Sequence, residues 1–183
     1  MDTFEELVSF ASDGRITKKV IKVNGRPSTK KRHELTENAI LSGAIVPRGV
    51  FGKNTQSNFV WDHWETKAEH QIGVIAYTAV GFNYPDGKTK YELKVTGRIF
   101  HDDSAGYLIR AESSSIGPPG YAFGEVRTET NFASVSLSDR ALILPTTSIM
   151  TTKIGKRLYR GEYQFLNYRK YETDTAVRFE QER

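Results

Sequence analysis

Trp61-Asp62-His63-Trp64-Glu65 holds the densest mixture of aromatic and titratable side chains in the chain. Asp62 or Glu65 beside His63 has the composition of an acid/base pair. Strand alternation divides it, however: Trp61 and His63 are expected on one side, Asp62 and Trp64 on the other. The reading that follows is a tryptophan anchoring a core, with exposed charges beside it. His101-Asp102-Asp103 offers a metal two or three ligands. It falls where a tight turn is required, and Asp favours turns through local hydrogen bonds. The four histidines, His33, His63, His70 and His101, lack the His-x-x-x-His spacing of a helical zinc site. Ser113, Ser114 and Ser115 come without a Gly-x-Ser-x-Gly elbow. No Walker loop and no Gly-x-Gly-x-x-Gly appears. No catalytic residue, metal or cofactor is assigned.

The elements around these residues are mostly strands. Tyr91, Leu93, Val95, Gly97 and Ile99 alternate with Lys90, Glu92, Lys94, Thr96 and Arg98. That two-residue period marks a strand with one face in a core and one in water. Further strands are expected from Phe59, over Ile72 to Phe82, Thr89 to Phe100, Tyr107 to Ser113 and Phe123 to Val135. Ala141 to Leu144, Ile149 to Lys153, Leu158 to Tyr168 and Thr173 to Phe179 follow. Short turns between them demand a meander, and a wide sheet curls because strand twist accumulates. The alternation puts Glu92, Glu129 and Glu162 on the polar face.

The first quarter reads differently. Phe4, Leu7, Val8 and Ala11 have helical spacing, Thr3 with Glu6 has capping-box spacing, and Asp13-Gly14 is a stop. A short helix is therefore expected over 2–12. Asn24-Gly25 is a strong hairpin signal, pairing 16–23 with about 28–33. Residues 34–43 read as a second short helix or turn, and 46–56 as a loop of the kind that moves, covers a cavity or binds something. One domain is expected over 1–183, with a helix-hairpin-helix part at 1–45 and an antiparallel sheet at 57–180.

Hydrophobic residues are 38% and charged residues 26% of 183, ordinary values for a globular domain. The net charge of +4 is mild, but Arg15, Lys18, Lys19, Lys22, Arg26, Lys30, Lys31 and Arg32 crowd one region. A solvated hairpin face accounts for them; a phosphate or anionic head group is the functional reading. The absence of cysteine excludes disulfides and thiolate chemistry. No window approaches the ~20 apolar residues of a spanning helix. The first residues lack a basic segment followed by an apolar one, so an exported form is expected to carry its signal elsewhere. The Tyr and Phe residues fall mostly on inward parities, which favours core packing over nucleic-acid stacking.

Several ordered fragments resemble a group of uncharacterised bacterial proteins, best represented among acidobacteria, with a lipoprotein-localisation (LolA-like) fold. They are Val23-Asn24-Gly25-Arg26-Pro27, Phe59-Val60-Trp61-Asp62-His63-Trp64, Gly97-Arg98-Ile99-Phe100 with Ile109-Arg110-Ala111-Glu112, Leu144-Pro145-Thr146, Tyr163 to Arg169, and Val177-Arg178-Phe179. The resemblance covers about four-fifths of the chain. It implies a curved antiparallel sheet around short helices, with an apolar concavity that holds acyl chains in the carriers.

The fold expected is mainly β (α+β): a strongly curved antiparallel half-barrel meander with one or two short N-terminal helices. The function expected is non-enzymatic binding of an apolar or lipid-like ligand in the concave face, in a periplasmic setting. Trp61, Tyr77, Tyr91, Leu93, Tyr163 and Phe165 are the expected lining, with Lys18, Lys19 and Lys22 meeting an acidic head group. A structural or protein-interaction module with a filled core is the alternative, and a small β-barrel enzyme using Asp62 or Glu92 the third.

Overall fold

The computed structural model describes residues 3–10, 16–28, 56–83, 91–117, 124–137 and 140–169. The second helix, the 46–56 loop up to residue 55 and the strand from Thr173 lie outside these residues. The chain divides into two compact units, Met1–Gly43 and Ala44–Arg183.

The first unit carries a three-stranded antiparallel sheet of β1 (Phe4–Phe10), β2 (Ile16–Val23) and β3 (Arg26–Pro27). The helix expected over 2–12 is thus a strand. Its helical spacing competes with pairing to β2, and aromatic and β-branched residues suit the pleat. Phe4 pairs with Val23 and Phe10 with Ile16, and Lys22 Nζ reaches Glu5 Oε2 at 2.7 Å. Asn24 and Gly25 both have positive φ, so the hairpin turn forms where expected. The Asn24 Oδ1 also accepts a hydrogen bond from the Thr3 N–H at 2.8 Å.

The second unit carries one seven-stranded antiparallel meander: β4 (Gln56–Lys67), β5 (His70–Asn83), β6 (Tyr91–Asp102), β7 (Tyr107–Ile116), β8 (Glu125–Leu137), β9 (Arg140–Ile154) and β10 (Arg157–Gln164). The strands lie side by side in chain order, and the sheet is not closed into a barrel. β9 runs unbroken through Pro145, where two strands were expected. A bulge at Thr146 accommodates the residue that cannot donate to the ladder.

The register sorts the sheet into two unlike faces. One row runs Trp61, Ile75, Ile99, Ala111, Thr130, Ser148, Tyr163. The next two on that face run Phe59, Tyr77, Gly97, Ser113, Thr128, Met150, Gly161 and Ser57, Ala79, Val95, Ser115, Val126, Thr152, Tyr159. None of these residues is charged. The opposite face holds the row Val60, Ala76, Arg98, Glu112, Glu129, Ile149, Glu162. Its neighbouring row adds Arg127 and Arg160. Tyr77 and Ala79 pack with Val95 and Ile99 on the uncharged face. A second cluster, Ile72, Val74 and Phe100 with Ile109, sits near the β6–β7 turn, and the Arg110 guanidinium lies 3.7 Å over the Phe100 ring.

The β4–β5 turn has no Gly or Asn. Ala68 and Glu69 hold φ of 48° and 71° between the paired Lys67 and His70, the two-residue turn that Asn-Gly fills best. A side chain in this region costs about 1–2 kcal/mol. Ala68→Asn with Glu69→Gly is therefore expected to raise the unfolding free energy by about 1–2 kcal/mol, read from the urea midpoint. An unchanged or lower midpoint would show that the turn is not strained.

Candidate functional site

The site begins with one extra residue. In β4, Trp61 pairs with Ile75 but His63 pairs with the next residue, Val74. Asp62 is the residue without an opposite number, so parity reverses after it. Trp64 pairs with Gly73 and joins Trp61 on the uncharged face. Asp62 Oδ2 reaches Arg98 Nε at 3.3 Å on the charged face. The division expected from simple alternation is therefore corrected: both tryptophans share one side, and Asp62, His63 and Glu65 share the other.

The two indoles lie 4.8 Å apart at 60°. A Cβ on Gly73 would stand 3.2 Å from the Trp61 ring and 3.3 Å from Trp64, so the bare backbone seats both rings. Phe59 and Tyr77 adjoin them, ring centres 6.1 Å apart. Tyr77 in turn lies over Gly97, where a Cβ would meet its ring and the Glu112 carbonyl. The Tyr77 hydroxyl donates to that carbonyl at 3.1 Å, and burial pushes its pKa up to about 12.

Trp61 is 50% exposed and Trp64 51%. An indole buries about 150–250 Å² when fully covered. At ~25 cal/mol per Å², the uncovered half leaves roughly 2–3 kcal/mol per ring unrealised. Further along the same face the rows are buried. Thr130 and Ser148 share a hydroxyl hydrogen bond of 2.9 Å, and Ser148 Oγ donates to the Glu129 carbonyl at 3.0 Å. Thr152, 1% exposed, has no partner for its hydroxyl. An orphaned buried hydroxyl costs about 1–3 kcal/mol.

The expected lining residues separate accordingly. Trp61 and Tyr77 come together. Tyr163 ends the row that Trp61 begins, six strand spacings away, about 29 Å along the sheet at ~4.8 Å each. Phe165 lies past β10, its N–H donating to the Thr146 carbonyl at 2.9 Å. Tyr91 pairs with Asn83 and Leu93 with Gly81; their side chains are outside the described residues. Phe59 and Trp64 complete the patch and were absent from the expected lining. Lys18, Lys19 and Lys22 belong to the other unit, where Lys22 is paired with Glu5.

The titratable groups have other arrangements. His63 lies between Asp62, 3.4 Å from Nδ1, and Glu65, 3.3 Å from Nε2. Arg110 Nε is 3.3 Å from Glu112 Oε1 but off the hydrogen-bond axis. His70, Asp102 and Ser104 meet where the two hairpin ends adjoin. Ser104 Oγ donates to Asp102 Oδ1 at 2.6 Å, and His70 Nδ1 stands 3.0 Å from that hydroxyl and 3.1 Å from Asp102 Oδ2. A hydrolytic triad puts acid and nucleophile on opposite ring nitrogens. Here both meet Nδ1, so this imidazole cannot relay a proton between them. Asp102 works as the turn cap that its position suggested, with the Ala105 N–H also bonded at 3.0 Å. Among the described residues no group of three His, Asp or Glu side chains has the arrangement to hold a metal.

No family model, curated protein or solved structure matches the chain.

Two measurements follow. Gly73→Val is expected to prise the indoles apart, abolishing their exciton couplet in circular dichroism and lowering stability by about 1–3 kcal/mol. A retained couplet at unchanged stability would contradict the seating. The Ser104 hydroxyl, then the Ala105 N–H, hold the Asp102 carboxyl below its ordinary range against burial, with the His70 charge adding to the effect. A lowered carboxyl pKa contributes stability above the unfolded value and loses it as pH falls through the folded one. Asp102→Ala is thus expected to lower the thermal midpoint at neutral pH, with the gap closing below the ordinary carboxylate range. A gap independent of pH would count against the cap.

Proposed function

We propose that this protein is a non-enzymatic binding domain that takes an apolar or lipid-like ligand on the uncharged face of its seven-stranded sheet. In this reading the sheet is curled as a half-barrel of the LolA-like kind and the protein works in the periplasm. The ligand enters at Trp61 and Trp64.

One observation carries the proposal. Phe59, Trp61 and Trp64 continue the uncharged face into solvent at its β4 side. Large half-exposed aromatics grouped on one patch mark binding surfaces more often than isolated apolar residues do. The unrealised burial of two indoles is several kcal/mol, enough to offset part of the cost of immobilising a ligand. The carboxylates Glu112, Glu129 and Glu162 stand on the other face, so an apolar guest meets no charge along the three central rows.

The second reading is a structural or protein-interaction module with a filled core. The burial of Tyr77, Thr130, Ser148 and Met150 on the same face favours it. The third, an enzyme, has no comparable observation behind it.

Titration with lauroyl amphiphiles below their micelle concentration separates the first two. The ligand reading expects a blue shift of tryptophan emission that saturates, and at least a tenfold weaker response in Trp61→Ala, the loss of about 1.4 kcal/mol. An emission spectrum unmoved by any of them would reject it in favour of the filled core.

A further inference from the structure

The sheet ends at β4. Among the described residues β4 has β5 on one side and no strand on the other. Every residue from Asn58 to Lys67 is exposed, a stretch about 33 Å long at the rise of an extended chain. An open edge of that length is a template for another strand. Bulges are one way in which such edges are protected. A straight strand laid on β4 would match its two faces on one side of Asp62 and oppose them on the other, because the extra residue reverses parity there. A strand with the same bulge has no such mismatch.

We propose that β4 pairs with β4 of a second copy of this chain, antiparallel, about a two-fold axis between Asp62 and His63. Each residue then faces the one equally far beyond the axis. Phe59 meets Thr66 of the second copy and Trp61 meets its Trp64, all from the face that carries the indoles. Asn58 meets Lys67 and Val60 meets Glu65, all from the opposite face. Asp62 meets His63 and His63 meets Asp62. Charge selects the same register. Within one copy His63 lies between Asp62 and Glu65, and Arg98 reaches Asp62. The joined clusters then hold as many bases as carboxylates, with Asp62 set against an imidazole. Sliding the pairing by two residues one way puts Asp62 against Glu65 of the second copy, and the other way against Trp61, from the wrong face. Like charges directly opposite are destabilising. The contact uses the same patch on both copies, so it closes as a dimer and does not propagate. It lies in the plane of the sheet and does not rest on the ligand reading.

Sedimentation velocity of the full chain over about 1–500 µM is expected to show the mass rising from 20.7 kDa towards twice that value. His63→Asp, which sets carboxylates on both sides of the axis, is expected to weaken association at least about tenfold. Cross-linking reads the register, since the chain has no cysteine of its own. Asn58→Cys combined with Lys67→Cys is expected to oxidise to a covalent dimer. Either substitution alone is expected not to cross-link, because each position then lies about 30 Å from its own counterpart, far beyond disulfide reach. A monomer mass throughout the range would overturn the inference. So would undiminished association of His63→Asp, or single variants that cross-link as readily as the double one. None of these results bears on lauroyl binding, so the ligand reading stands or falls separately.

Discussion

The seven-stranded sheet depends on the bulge at Asp62. A strand repeats every two residues, so without an extra residue Trp61 and Trp64 would fall on opposite faces. The bulge shifts the register by one between Ile75 and Val74. Two large apolar rings then meet on the uncharged side, and Asp62, His63 and Glu65 gather on the side of Arg98. Gly73 completes the arrangement, because a Cβ there would crowd both rings at 3.2–3.3 Å and push them back. The outcome is a sheet with three uncharged central rows on one face, from the indoles at β4 to the hydroxyls at β8 and β9, while Arg98, Glu112, Glu129 and Glu162 stand on the other.

That separation bears on stability as well as binding. The face with Tyr77, Thr130, Ser148, Met150 and Thr152 is buried, and its hydroxyls must find partners there. The Thr130–Ser148 bond, worth about 0.5–1.5 kcal/mol net, meets that demand for two of them. The opposite face is mixed: Ile72, Val74 and Phe100 are buried on it, while Arg98, Arg127 and Arg160 remain exposed and their ion pairs are of the weak, screened kind. The turn at Ala68-Glu69 and the cap at Asp102 close adjacent hairpins by different means, one through backbone conformation and one through side-chain hydrogen bonds.

Much of this was legible in the sequence. The two-residue alternation identified the meander, and Trp61, Tyr77 and Tyr163 share a face in the register, but Trp61 is 50% exposed where a core anchor was expected. Glu129 and Glu162 share the charged face, as alternation required. Asn24-Gly25 announced its turn. What was not legible has physical causes. A bulge leaves no mark in a two-residue pattern, so Trp64 was placed with Asp62 rather than with Trp61. Phe4, Leu7 and Val8 make a helical stripe, but pairing with β2 makes the segment a strand and puts Leu7 on the face opposite Phe4 and Val8. Ala68-Glu69 lacks turn residues, so β4 and β5 run further than expected at that end. Pro145 resembled a break because the bulge that tolerates it is formed by its neighbour.

The central claim is that the uncharged face receives an apolar guest. Native mass spectrometry of the purified protein, with organic extraction of whatever is bound, tests it most directly. The account predicts a reproducible added mass that extracts as a lipid. A single mass matching the polypeptide alone, in preparations from lipid-containing extracts, would contradict it and leave the filled core as the better description.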